Sequence, residues 1–157
     1  MIGDETIFSP WFLLAESVEE CWSCGSGTRV FAILLPEIEK GAKAGVEDDT
    51  SAPTPCSLSN VGDVNDAVET YLKRLSPHFF PDDSHSAGQT YWMNHCEHCS
   101  NKIGDFYLHS KPGHAFFPIT DEEISKIKLR RIDIALEVDA GWGQSSWIDE
   151  LLEGGQF

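Results

Sequence analysis

Four of the five cysteines fall into two C-x-x-C pairs, Cys21-Trp22-Ser23-Cys24-Gly25 and Cys96-Glu97-His98-Cys99. Two cysteines at this spacing let both sulfurs reach one ion from a tight turn whose backbone N–H groups point back at them. Gly25, just past the second thiol, suits a positive φ. Two such turns face to face offer tetrahedral S₄ coordination, with Zn–S bonds of about 2.3 Å. The expectation is one structural Zn²⁺ on Cys21, Cys24, Cys96 and Cys99. Cys56 has no second ligand beside it and reads as a bystander.

Other chemistry for these cysteines lacks its context. A redox C-x-x-C opens a helix, whereas Cys24 leads into Gly-Ser-Gly and a strand. A zinc deaminase needs H-x-E and P-C-x-x-C, and neither occurs, nor does H-E-x-x-H. Four thiolates leave no open position for a metal-bound water. His95 and His98 flank the second pair and read as hydrogen-bonding neighbours of the knuckle. Ser84 beside His85 is no triad, because nothing marks a nucleophile. Asp82, Asp83 and His85 sit in a polar loop after Pro81 and could in principle hold a second metal, although a solvated loop is the simpler reading. Glu16, Glu19 and Glu20 read as a solvated acidic edge before the first knuckle.

The elements around these residues define the expected fold. Arg29 to Leu35 reads as a strand buried on both sides and stopped at Pro36. Residues 37–90 read as an insertion between the knuckles, and account for a separation far beyond the usual roughly 15–20 residues. The insertion opens with a loop over 37–62 that holds the acidic run Glu47, Asp48 and Asp49. A helix follows over 63–75, capped by Asp63, with Val64, Ala67, Val68, Tyr71, Leu72 and Leu75 on one face. Residues 104–109 (GDFYLH) and 132–138 read as strands. Thr120 with Glu123 resembles a capping box opening a helical turn at 121–127. A last amphipathic helix covers 146–153, capped by Ser146 and burying Trp147, Ile148, Leu151 and Leu152. The predicted fold class is α+β: a zinc ribbon with an antiparallel sheet, an inserted loop and helix, and a C-terminal helix, forming one domain over 1–157.

With CWSCG, the strand VFAILLP, and then YWMNHCEHC and GDFYLHSKPGHAFFP in hand, the chain resembles a set of bacterial zinc-ribbon proteins with no established activity. The resemblance runs from about Val18 to Pro118, with an unlike middle. It implies the metal site and a bacterial origin, and implies no function.

Charge narrows the partners. The chain has 11 Lys and Arg against 26 Asp and Glu, a net charge of −15. Four thiolates around Zn²⁺ make it more negative. This disfavours nucleic acid, which needs clustered basic residues, and only Lys126, Lys128, Arg130 and Arg131 cluster. Neither a membrane span nor a secretory signal is evident, and the cysteine usage points to a reducing compartment such as the cytoplasm. The functional expectation is a non-enzymatic acidic protein that binds a basic protein partner, such as an immunity protein covering a nuclease toxin. The alternative is a regulatory or adaptor zinc ribbon for another protein. The expected contact residues are Glu16, Glu19, Glu20, Glu47, Asp48, Asp49, Asp82 and Asp83, with Trp22 at the knuckle tip as an aromatic anchor; Trp142, between two glycines, is a further anchor candidate or a core residue.

Overall fold

The computed structural model describes residues 6–36 and 54–154. Its strands are β1 (Thr6–Ser9), β2 (Phe12–Glu20), β3 (Gly27–Leu35), β4 (Cys56–Ser59), β5 (Phe79–Ser84), β6 (Gln89–His95), β7 (Lys102–Ile103), β8 (Lys128–Ile132), β9 (Leu136–Asp139) and β10 (Gly141–Gly143). The helices are α1 (Asp66–Leu75), α2 (Asp105–Ser110), α3 (Asp121–Ser125) and α4 (Ser146–Gly154). The chain is therefore α+β, with antiparallel sheets and a helix at its C-terminal end. The central sheet runs β10-β4-β3-β2-β8, a second runs β5-β6-β7, and β1 pairs with β9.

The apolar run in β3 dictates the layering. A strand with no polar face must be covered on both sides. Phe31, Ile33 and Leu35 enter one core with Phe12 and Leu14 of β2, Val68 and Leu72 of α1, and Phe79 and Trp92 of the second sheet. Val30, Ala32 and Leu34 enter another with Leu13 and Ala15, Leu108 of α2, and Trp147 and Ile148 of α4. Cys21 and Cys96 belong to that second core, so the knuckles grow directly out of packed structure.

Several expectations change. Residues 104–109, read as a strand, instead supply the N-cap, Gly104, and most of helix α2. The single strand expected over 132–138 is broken in two: β8 ends at Ile132 in the central sheet and β9 starts at Leu136 beside β1. Residues 56–59, read as loop, are β4, and Cys56 is fully buried there. Asp82 and Asp83 lie on β5, not in a loop. Helix α1 has Asn65 rather than Asp63 at its N-cap, and Ala67 faces solvent. Ser146 is the first residue of α4 instead of its cap. The Thr120 hydroxyl does accept from the Glu123 N–H, but the Glu123 carboxylate reaches Ile119 N instead of closing a box on Thr120. No helix among the described residues is long and apolar enough to cross a membrane.

Candidate metal centre

Each cysteine pair sits at the tip of an antiparallel hairpin, the first between β2 and β3, the second between β6 and β7. The two turns share one hydrogen-bond scheme. Gly25 N donates to Cys21 O and Cys21 N to Ser26 O, both at 2.9 Å. Ser100 N donates to Cys96 O at 3.0 Å and Cys96 N to Asn101 O at 2.9 Å. Gly25 has φ +78° and Ser100 φ +68°. The knuckle needs a left-handed residue right after its second cysteine, and only the first pair meets that need with glycine.

The turns bring Cys21, Cys24, Cys96 and Cys99 together with all their sulfurs within 4.8 Å of one another. The Sγ atoms of Cys21 and Cys99, and those of Cys24 and Cys96, are 3.6 Å apart. A tetrahedron with 2.3 Å metal–sulfur bonds has edges of about 3.8 Å, so the cluster has the size to hold a metal ion such as zinc. Backbone N–H groups of Ser23 and His98 point at Cys21 and Cys96, each 3.3 Å from the sulfur. The Ser26 N–H and hydroxyl hold the Cys24 thiol below its ordinary range, whereas burial pushes Cys96 up. Cys56 stands apart in the first core, where burial drives its thiol up to about 12 and leaves it inert.

The surroundings bind one hairpin to the other. Asn94, buried on β6, accepts from Phe31 N (2.8 Å) and donates to Phe31 O (3.0 Å). Glu97 in the second knuckle takes the Arg29 N–H and guanidinium, at 3.0 and 2.9 Å, and its own N–H donates to the Thr28 hydroxyl. The Trp22 indole N–H donates to Lys102 O at 2.8 Å, although the ring is 59% exposed. His98 reaches Gly27 O. His95 is buried, 2.8 Å from the Asp82 carboxylate and stacked on Phe80.

The acidic residues picked from the sequence scatter. Glu19 is buried, not on a solvated edge: its carboxylate accepts from Ala115 N and lies 3.0 Å from His114 Nδ1. Glu20 is exposed and Glu16 half-buried. Asp82 pairs with His95 and Lys102, and its carboxyl is held below the usual range by His95. Asp83 is exposed on β5, in a different sheet from Glu20 at the end of β2. Glu47, Asp48 and Asp49 lie outside the described residues. Trp142 is half-buried against the first core. Asn94 and Glu97 carried a readable signal, as polar residues inside and beside an otherwise buried run.

No protein-family model matches the chain, and neither a curated protein nor a solved structure is significantly similar to it.

Proposed function

We propose that this is a zinc ribbon whose single Zn²⁺ is structural and whose acidic surface docks on a basic protein. An immunity protein that covers a toxin such as a nuclease fits this reading, since a nuclease must be basic to hold phosphate. The four thiolates would fill the coordination sphere, leaving the ion no position for substrate. Reduced thiolates suit the cytoplasm.

The observation that carries the docking reading is a depression of about 270 Å³ between the end of β2 and residues 113–126. Glu19, Glu20 and Glu123 line it, with Lys126 as its one Lys or Arg. Val18 on its wall is 55% exposed, and Ile119, whose N–H binds Glu123, is 63% exposed. Carboxylates around a hollow flanked by bare aliphatic groups suit an inserted Lys or Arg side chain with an apolar rim. The basic group at β8 is less available for nucleic acid. Arg131 lies over the Trp11 ring at 3.9 Å and binds Asp133, and Arg130 leans on the Tyr71 hydroxyl.

The test is capture of partners from the native host on the metal-loaded protein, followed by association kinetics at several salt concentrations. Association should slow steeply as salt rises, because the Debye length shrinks from about 10 Å at 0.1 M to about 3 Å at 1 M. The Val18→Asp/Glu20→Lys variant should lose the partner. A salt-independent association rate, or undiminished capture by that variant, would overturn the reading.

A further inference from the structure

A hollow larger than the Glu19–Glu20 depression lies elsewhere. A cleft of about 470 Å³ opens between α2, β6 and the β5–β6 turn, and shares no lining residue with the Glu19–Glu20 depression. Its volume is that of a small-ligand site.

Its floor is Asp105. This side chain is only 7% exposed, and its Oδ2 accepts from Asn60 N at 2.7 Å. Among the described residues no Lys or Arg forms an ion pair with it. Lys102 lines the same cleft, but its ammonium binds Asp83 O at 2.7 Å and lies 3.6 Å from Asp82 Oδ1. His109, one turn along α2, packs on Phe116, and burial, outweighing its electrostatic attraction to Asp105, holds its ring toward the neutral form. Burial likewise pushes Asp105 above the usual carboxylate range. A buried carboxyl with one N–H partner gains most from a cation that supplies the rest.

Beside it stands Phe106, 70% exposed, at the edge of the cleft. Lys111 Nζ already sits 5.9 Å from the centre of this ring, within cation–π range, so the aromatic face accepts positive charge. A planar guanidinium is the cation that can meet a carboxyl with its N–H edge and an aromatic ring with its face. The Tyr91 hydroxyl, which takes the Asp105 N–H at 2.9 Å, adds a further polar contact.

We propose that this cleft is a binding site for a guanidinium group, with the Asp105 carboxyl as its anionic partner and the Phe106 ring as its stacking surface. The group can belong to a free small molecule or to an arginine side chain. The site does not depend on the docking reading above, so either can fail alone.

The test is calorimetric titration of the metal-loaded protein with butylguanidinium and with its neutral counterpart butylurea, at fixed ionic strength. Butylguanidinium should bind saturably at one site, and butylurea at least about tenfold more weakly, as expected for a lost charged hydrogen bond. Asp105→Asn should lower butylguanidinium affinity by a similar factor. Phe106→Ala, at an exposed position that leaves the fold intact, should lower it severalfold. An acetyl-Gly-Arg-Gly-amide arm separates the sources: equal or tighter binding assigns the cleft to an arginine side chain, and exclusion assigns it to a free guanidine. Equal binding of the two butyl compounds, no saturable binding of butylguanidinium, or unchanged affinity in Phe106→Ala would overturn the proposal.

Discussion

The side chain of Asn94 stands in for a strand: its amide completes both backbone hydrogen bonds of Phe31, at 2.8 and 3.0 Å. At this point β3 is paired with β2 on one edge, while β4 pairs only with Leu34 and Leu35 on the other. One asparagine fills the gap and fixes β6, and with it the second knuckle, against β3. Glu97 repeats half of the device two residues before, accepting the Arg29 N–H at 3.0 Å. The hairpins are thus aligned by protein contacts as well as by the sulfurs.

Asn94→Ala should therefore destabilise the metal-loaded protein by about 2–4 kcal/mol, because it strands a buried N–H and a buried C=O. Urea denaturation checks this. Arg29→Ala, which breaks a half-exposed ion pair, should have a much smaller effect.

Elemental analysis after gel filtration should give about one zinc per chain, or iron from overexpression, since S₄ sites accept both. Cys96→Ser should abolish tight binding and destabilise the fold, because structural zinc carries on the order of 10 kcal/mol of apparent binding free energy. Cys56→Ser should leave the metal count unchanged. A full metal load in Cys96→Ser would refute the assignment.

Ser100→Gly should stabilise the protein by up to about 1 kcal/mol. Ser100 holds a left-handed φ of +68° that a side chain resists and glycine does not, although glycine's freedom in the unfolded chain offsets part of the gain. The matching change in the first knuckle, Gly25→Ala, at φ +78°, should be unfavourable. Thermal unfolding of both variants measures the contrast.

Asp105 and His109 should give opposite pH signatures. Burial raises Asp105, so the folded state holds its proton more tightly than the unfolded one. Its stabilising contribution is full below the ordinary carboxylate value of about 3.9 and fades as pH rises through the raised one. Burial lowers His109, whose contribution is full above about 6.5 and fades as pH falls through the lowered value. Stability of the native protein relative to Asp105→Asn should fall with rising pH, and relative to His109→Gln should fall with falling pH. Differences between variants cancel the metal's own proton dependence.

The parts of the fold legible in the sequence were those fixed locally. The knuckles depend on residue type and short spacing, and the burial of β3 follows from an unbroken apolar run. Helix α1 and helix α4 follow from periodicity. The errors share a tertiary cause. GDFYLH has strand-like aromatics, but a Cβ at Gly104 would come within 3.3 Å of the Tyr91 hydroxyl, and Asp105 is pinned by Asn60 and Tyr91, so a helix starts there. The stretch after Pro81 with Asp82 and Asp83 reads as a polar loop, yet β5 is the edge of its sheet, where a proline is tolerated. The apolar alternation over 132–138 is real but serves two sheets in turn. The cleft was invisible because Asn60, Tyr91, Lys102 and Asp105 come from four elements or loops.

Cys24 and Cys96 are 72 residues apart in the chain, which orders events during synthesis. While the ribosome is still making the intervening segment, the first knuckle offers only two sulfurs, and two sulfurs retain zinc poorly. The full site exists only once Cys99 has emerged and β6 has found β3. On the proposed zinc reading, metal capture is a late step that closes a long loop, and loop closure of this length is slow more than it is costly. A nascent chain stalled before Cys96 should exchange zinc freely, and one released after Cys99 should keep it.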